Sequence, residues 1–137
     1  PLMIIDEIVN AIDKLKTQGK IKSFGLSNFT PSQTELIQQK IQVDYNQIRF
    51  SATHHEAMID GSLDFMQLHS ITPMSWNPLG TVFKEENDQA ERLKICLEKL
   101  SEKYNVDKDV ILLAWILKHP SGILPVIGTT NVDRIKN

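Results

Sequence analysis

Apolar positions along this chain switch repeatedly between two spacings. Ile5, Ile8, Ile12 and Leu15 recur every three or four residues, the stripe of an amphipathic helix, with Lys14, Lys16 and Gly19 as its C-terminal signals. Ile21 to Leu26 reads as a first strand. Thr30-Pro31-Ser32-Gln33 supplies an N-cap, a proline at the first helical position and a capping-box glutamine, opening a short helix to about Gln39. Val43 to Ile48 is a second strand, and Phe50 to Gly61 a loop before a short helix from Ser62 to Leu68. Ile71 to Trp76 is a third strand, although Pro73 must sit near its start or miss one ladder bond. After a long loop, Asn77 to Asp88, a second helical stripe follows at Ala90, Leu93, Leu97, Leu100 and Tyr104. Asp107 reads as an N-cap for a helix whose broad apolar face is Val110, Ile111, Ala114, Trp115 and Leu117. His119-Pro120-Ser121-Gly122 ends it, Ile123 to Ile127 is a fourth strand, and Thr130 to Asp133 resembles another capping box.

The predicted order is α-β-α-β-α-β-α-α-β-α. Strands alternating with helices imply an α/β fold with a parallel sheet. Half of a (β/α)8 barrel and a small doubly wound sheet both satisfy the pattern. In either, ligands bind at the C-terminal ends of the strands. Those ends are polar here: Gly25-Leu26-Ser27-Asn28, Asn46-Gln47, Trp76-Asn77-Pro78 and Gly128-Thr129-Thr130. Ser, Asn, Gly and Pro also end strands as ordinary turn residues, so one tip alone carries little. Four tips on successive strands make one candidate site.

Composition narrows the class without naming a function. The 137 residues are 41% hydrophobic and 23% charged, enough for one globular domain. Net charge is −2, from 15 basic and 17 acidic residues, with no run of like charge, so neither nucleic acid nor an anionic membrane is an implied partner. The single cysteine, Cys96, excludes an internal disulfide and fits a reducing, cytoplasmic setting; its helical position suggests a structural thiol. No stretch approaches the roughly 20 apolar residues of a membrane span. The chain opens on Pro1 in a helical pattern and stops at Asn137 as another helix starts, so both ends read as cuts through a larger fold.

Known motifs are few. His54-His55-Glu56 with Asp60 matches no established metal-ligand spacing and reads as solvated loop surface. His69 and His119 end apolar segments and read as structural. There is no G-x-G-x-x-G or P-loop fingerprint. Gly128-Thr129-Thr130-Asn131 before a helix, with Arg134 one turn in, suits an anion: free N–H groups and an arginine fork favour phosphate. Trp76 at a strand tip suits stacking on a flat ring, or plugging the sheet end as core.

Together these segments resemble the aldo-keto reductases. Gly19 to Phe29 is similar to that family's G-K-[IV]-[RK]-x-[FIL]-G-[LV]-S-N-[FH] segment. Val43 to Gln47 resembles its strand ending in Asn-Gln, and Trp76 to Gly80 its aromatic-x-P-L-[GA] segment. Leu124 to Thr130 with Asp133-Arg134-Ile135 resembles its last barrel strand and phosphate loop. The resemblance implies a TIM barrel, of which residues 1–137 would be the C-terminal half with the fifth to eighth strands, truncated at both ends. It implies NADP(H) as cofactor. Ser27, Asn28 and Gln47 match positions that hold the nicotinamide carboxamide, and Trp76 the aromatic that stacks on its ring. Pro78, Leu79 and Gly80 match the loop along the pyrophosphate. Gly128, Thr129, Thr130 and Arg134 match the loop and helix at the 2′-phosphate, and Gly128 stands where many members carry a lysine.

The resemblance also places the catalytic Asp, Tyr, Lys and His on earlier strands, so it assigns no catalytic residue and no metal ligand here. It implies a parent enzyme that reduces a small aldehyde or ketone with NADPH, and an inactive chain by itself. Two other readings stay open: a non-catalytic cofactor-binding regulatory subunit of the same type, and a self-assembling fragment that binds nothing. A half-barrel with open edges and an open apolar inner face is expected to be a homo-oligomer.

Overall fold

Each change of apolar spacing becomes a change of element in the structure, a computed structural model that describes residues 4–136, the side chain of Arg134 excepted. The order is α1 (Ile5–Thr17), β1 (Gly25–Ser27), α2 (Pro31–Gln38), β2 (Tyr45–Arg49), a 3-10 turn (Glu56–Met58), α3 (Ser62–Leu68), β3 (Thr72–Trp76), α4 (Asp88–Tyr104), α5 (Lys108–Leu117), β4 (Leu124–Pro125) and α6 (Val132–Lys136). All strand pairs are parallel, in the order β1-β2-β3-β4. That is the predicted alternation, with shorter strands.

The shortening has local causes. Asp44 takes the N–H of Phe24 on its carboxylate at 2.8 Å, so the regular β1–β2 ladder begins only at Gly25. Gly25 itself is needed there, because a Cβ would lie 2.9 Å from the Cβ of Tyr45. Pro73 costs no ladder bond. The N–H of Thr72 points to Asp44 on the β2 side, so the next residue faces β4, whose pairing starts only at Met74. Pro125 is placed likewise: Val126 donates to Ser75, so Pro125 turns its missing donor to the outer edge.

Side chains alternate across the sheet. Asn46, Ile48, Pro73 and Ser75 are buried on the helix-covered face, while Tyr45, Gln47, Arg49, Thr72, Met74 and Trp76 lie on the other face, half-buried. The covered face joins the main core of Ile37, Ile41, Val43, Ile48, Phe50, Leu63, Met66, Ile71, Ile116 and Ile123. The uncovered face mixes Ser27, Tyr45, Gln47, Arg49 and Thr72 with Met74, Trp76 and Leu124, and so differs from the expected apolar patch.

Two helices depart from their predicted faces. In α5 the buried residues are Leu112 and Ile116, whereas Trp115 and Leu117 are exposed by 41% and 58%. Trp115 still stacks on Phe50, ring centres 5.6 Å apart. In α4 the stripe buries Ala90 and Leu97, but Tyr104 is exposed and so is Cys96, which is not a packed thiol. A second core of Val82, Leu97 and Leu112, with Leu79 and Leu93 against it, clamps the loop after β3 onto α4 and α5.

Candidate functional site

Register decides which side chains meet at the C-terminal end of the sheet. Ser27 is aligned with Gln47, and Arg49 with Trp76, so all four leave the uncovered face at neighbouring tips. Just beyond β1, Asn28 adopts a left-handed backbone with φ of 56°. Its N–H donates to the carbonyl of Gln47 at 2.8 Å, extending the β1–β2 ladder by one residue. Its Oδ1 accepts from the indole N–H of Trp76 at 2.8 Å. An indole only donates, so the amide oxygen must face it. β1 and β3 are not neighbours, and the indole spans the tip of β2 to reach Asn28.

Ser27, Asn28, Gln47 and Trp76 are thus brought together as the sequence suggested. Asn46 is not part of this group. Its Nδ2 donates to the carbonyl of Phe29 at 2.9 Å, which ties the β1–α2 turn to β2 on the helix side. Arg49 is part of it, and sequence reasoning passed it over. Its guanidinium carbon lies 5.7 Å from the centre of the Trp76 ring, and its Nε is buried without an acceptor. The period-two alternation Tyr45, Gln47, Arg49 was the signal that places it beside Gln47.

The loop after β3 is fixed by close packing. Gly80 is buried with φ of 64°, and a Cβ there would lie 2.2 Å from Thr53 Oγ1 and 2.7 Å from Ser51 Oγ. Thr53 Oγ1 also accepts the N–H of Thr81 at 3.0 Å, so the β3 loop is pinned to the turn after β2. Across from it runs the loop after β4. A cleft of about 640 Å3 separates the two, lined by Pro78, Leu79 and Gly80 on one side, by Gly128, Thr129 and Thr130 on the other, and by Lys84 and Asp109. That volume is typical of small-ligand sites, about 300–1,000 Å3. Asn77 lines the cleft next to Trp76, which makes the tip cluster and the cleft contiguous in the chain.

The expected capping box at Thr130 is replaced by a cap at Asn131. Asn131 Oδ1 accepts the N–H of Asp133 at 2.9 Å, and Thr129 Oγ1 accepts that of Asn131 at 3.1 Å. Two of the N–H groups expected to face an anion are therefore satisfied internally. The side chain of Arg134 lies outside the described residues.

Lys84 and Asp109 line the cleft, but neither tyrosine reaches the strand tips. Tyr45 opens β2 level with Gly25 and Thr72, at the N-terminal end of the sheet, and Tyr104 is exposed on α4. His54 follows β2 with Nδ1 3.2 Å from a Glu56 carboxylate oxygen. Among the described residues no three His, Cys, Asp or Glu side chains converge as a metal site would require.

Comparison with known proteins gives this arrangement its family. The chain is 36% identical over 140 residues to "Uncharacterized oxidoreductase YcsN" of Bacillus subtilis, covering 98% of this chain and 47% of that protein. It is 34% identical over 139 residues to "Oxidoreductase YdhF" of Escherichia coli, covering 99% and 47%. The chain thus spans about half the length of these relatives. A solved aldo/keto reductase from Klebsiella pneumoniae, in complex with NADP and acetate, superposes with a TM-score of 0.81 at 20% identity, over 99% of this chain and 48% of that one. The four parallel strands and their helices therefore correspond to about half of an aldo-keto reductase TIM barrel. The profile described as "Aldo/keto reductase family" matches residues 1–137, and the chain belongs to that family.

Proposed function

We propose that the chain is the C-terminal, cofactor-binding half of a cytoplasmic reductase that converts small aldehydes or ketones to alcohols with NADPH. Ser27, Asn28 and Gln47 hold the nicotinamide carboxamide, and Trp76 stacks on the ring. Pro78, Leu79 and Gly80 follow the pyrophosphate, while Gly128, Thr129, Thr130 and Arg134 take the 2′-phosphate. The observation that carries this reading is the bond from Trp76 to Asn28 across β2, which holds a flat indole over the sheet tips on the face that carries Ser27 and Gln47. The residues present fit such a group: aromatic and amide at one end, and an open cleft with a glycine and two threonines at the other.

When bound, the nicotinamide supplies the hydride. The chain's own part is to bind, to orient the ring and to keep water from its Trp76 side. General-acid protonation of the carbonyl needs a donor at the strand tips. Neither tyrosine of the chain is there, so the reading places that donor in sequence outside these residues.

Binding tests the proposal directly. Adding NADPH should quench tryptophan emission, and Trp76→Leu should abolish most of the change, because Trp115 stacks on Phe50, which belongs to the core of the helix-covered side rather than the uncovered face. An unaltered quench in Trp76→Leu refutes the stacking role. Sustained NADPH oxidation by the chain with a reactive aldehyde refutes its dependence on an external donor.

A further inference from the structure

Arg49 has no place in the site as read from the sequence, yet it sits at the centre of the tip cluster. Its guanidinium carbon is 5.7 Å from the centre of the Trp76 ring, within the range of a cation–π contact. Its buried Nε has no acceptor, and among the described residues no carboxylate forms an ion pair with it. An arginine stays protonated at any working pH. The ring proposed to receive the nicotinamide is thus already in contact with a permanent, uncompensated positive charge. Trp76 is held in that position by Asn28 and cannot turn away without losing its bond.

The nicotinamide exists in two charge states. The reduced ring is neutral, and the oxidised ring carries one positive charge. Both present a similar flat face to an indole, but only the oxidised form is repelled by Arg49. The guanidinium also draws on the π density that would attract a second cation. We propose that Arg49 makes this site discriminate between the redox states, favouring reduced over oxidised nicotinamide. The inference rests on the stacking role of Trp76 proposed above. Its consequence is directional: the product form of the cofactor leaves more readily than the substrate form, which suits carbonyl reduction over alcohol oxidation. Two unit charges about 10 Å apart, at an effective dielectric constant of about 20–80, give roughly two- to twentyfold in relative affinity.

Calorimetric titration of NADPH and NADP+ into the 137-residue chain and its variants tests this, because the two ligands differ in charge only at the nicotinamide. Arg49→Met keeps the length of the stem and removes the charge. The expected result is a fall in the ratio of the NADP+ to the NADPH dissociation constant of roughly two- to twentyfold. Arg49→Lys should retain most of the ratio. In the unmutated chain the ratio should narrow as salt rises, which needs no variant and guards against a misfolded one. A ratio that is the same in Arg49→Met and is indifferent to salt overturns this inference while leaving the cofactor reading intact. If the unmutated chain binds neither ligand, the cofactor reading falls and this inference with it.

Discussion

Trp76 donates its indole N–H to Asn28 Oδ1 at 2.8 Å, joining the tips of two strands that are separated by a third. The acceptor is held by an unusual backbone, since Asn28 has φ of 56°. Two energies therefore meet at one residue and can be separated by substitution. Asn28→Gly keeps the backbone conformation and loses the bond, which costs about 1 kcal/mol. Asn28→Ala loses the bond and keeps a Cβ in the left-handed region, a strain of about 1–2 kcal/mol that glycine does not carry. Urea unfolding should rank the alanine variant clearly below the glycine variant. Equal stabilities would show that the turn relaxes and that the left-handed residue is not required.

Gly80 and Gly128 line opposite sides of the cleft and should respond unequally to alanine. A Cβ at Gly80 meets Thr53 Oγ1 at 2.2 Å on a backbone with φ of 64°. Gly128 has nothing within 4 Å of the same atom and no left-handed φ. Gly80→Ala is expected to destabilise by about 2–4 kcal/mol, from overpacking and backbone strain together. Gly128→Ala should stay within about 0.5 kcal/mol of the parent. Thr53→Ala in the Gly80→Ala background should restore only part of the steric share, because Ser51 Oγ would still lie 2.7 Å from the added Cβ. Matching melting temperatures for the two glycine variants would contradict the tight contact after β3.

What the sequence could and could not show follows from how local each determinant is. The start of α2 was legible because both halves of its cap lie within four residues: Thr30 accepts from the N–H of Gln33, and Gln33 reaches back to the N–H of Thr30. The face of α5 was not legible. Its sequence, KDVILLAWIL, is apolar almost all round, so periodicity had no contrast to work with, and packing against Phe50 and Ile123 chose Ile116 over Leu117. The start of β1 depends on the Asp44 carboxylate twenty residues away, which no window reveals. Six of the candidate residues, Pro78, Leu79, Gly80, Gly128, Thr129 and Thr130, line one cleft, because strand tips are recognisable locally. Arg49 was overlooked because its importance comes from register with Trp76, a relation between strands.

The open space at Gly128 makes a gain-of-function test possible. Many family members carry a lysine at this position, and the cleft leaves room for one. Gly128→Lys should tighten NADPH binding relative to NADH, since only NADPH carries the 2′-phosphate. A charge-assisted hydrogen bond to it contributes about 1.5–3 kcal/mol, or roughly tenfold or more in the ratio of dissociation constants. Competitive titration of both nucleotides gives that ratio. An equal gain for both would place the lysine on the pyrophosphate, and no gain for either would remove Gly128 from the cofactor site.

Self-association is the last expectation, and the fold sharpens where it should occur. β1 and β4 are the outer strands of the sheet, and among the described residues neither has a second neighbour. Unpaired edges recruit other chains. The two edges are not equivalent, however. β4 is two residues long and turns Pro125 outward, which offers no donor to a partner. β1 is three residues long and carries no proline. The uncovered face adds Met74, Trp76 and Leu124, the last exposed by 44%, but sets them among polar side chains. Association is therefore expected through this face and the β1 edge together. Light scattering coupled to size exclusion should show a mass above one 15.6 kDa chain that falls on dilution. Met74→Lys, which puts a charge at the middle of the face, should shift the equilibrium toward single chains, whereas Ile127→Lys, beyond the end of β4, should leave it unchanged. A sharp peak at the mass of one chain, independent of concentration, would mean that the polar side chains of the uncovered face are enough to keep it in water.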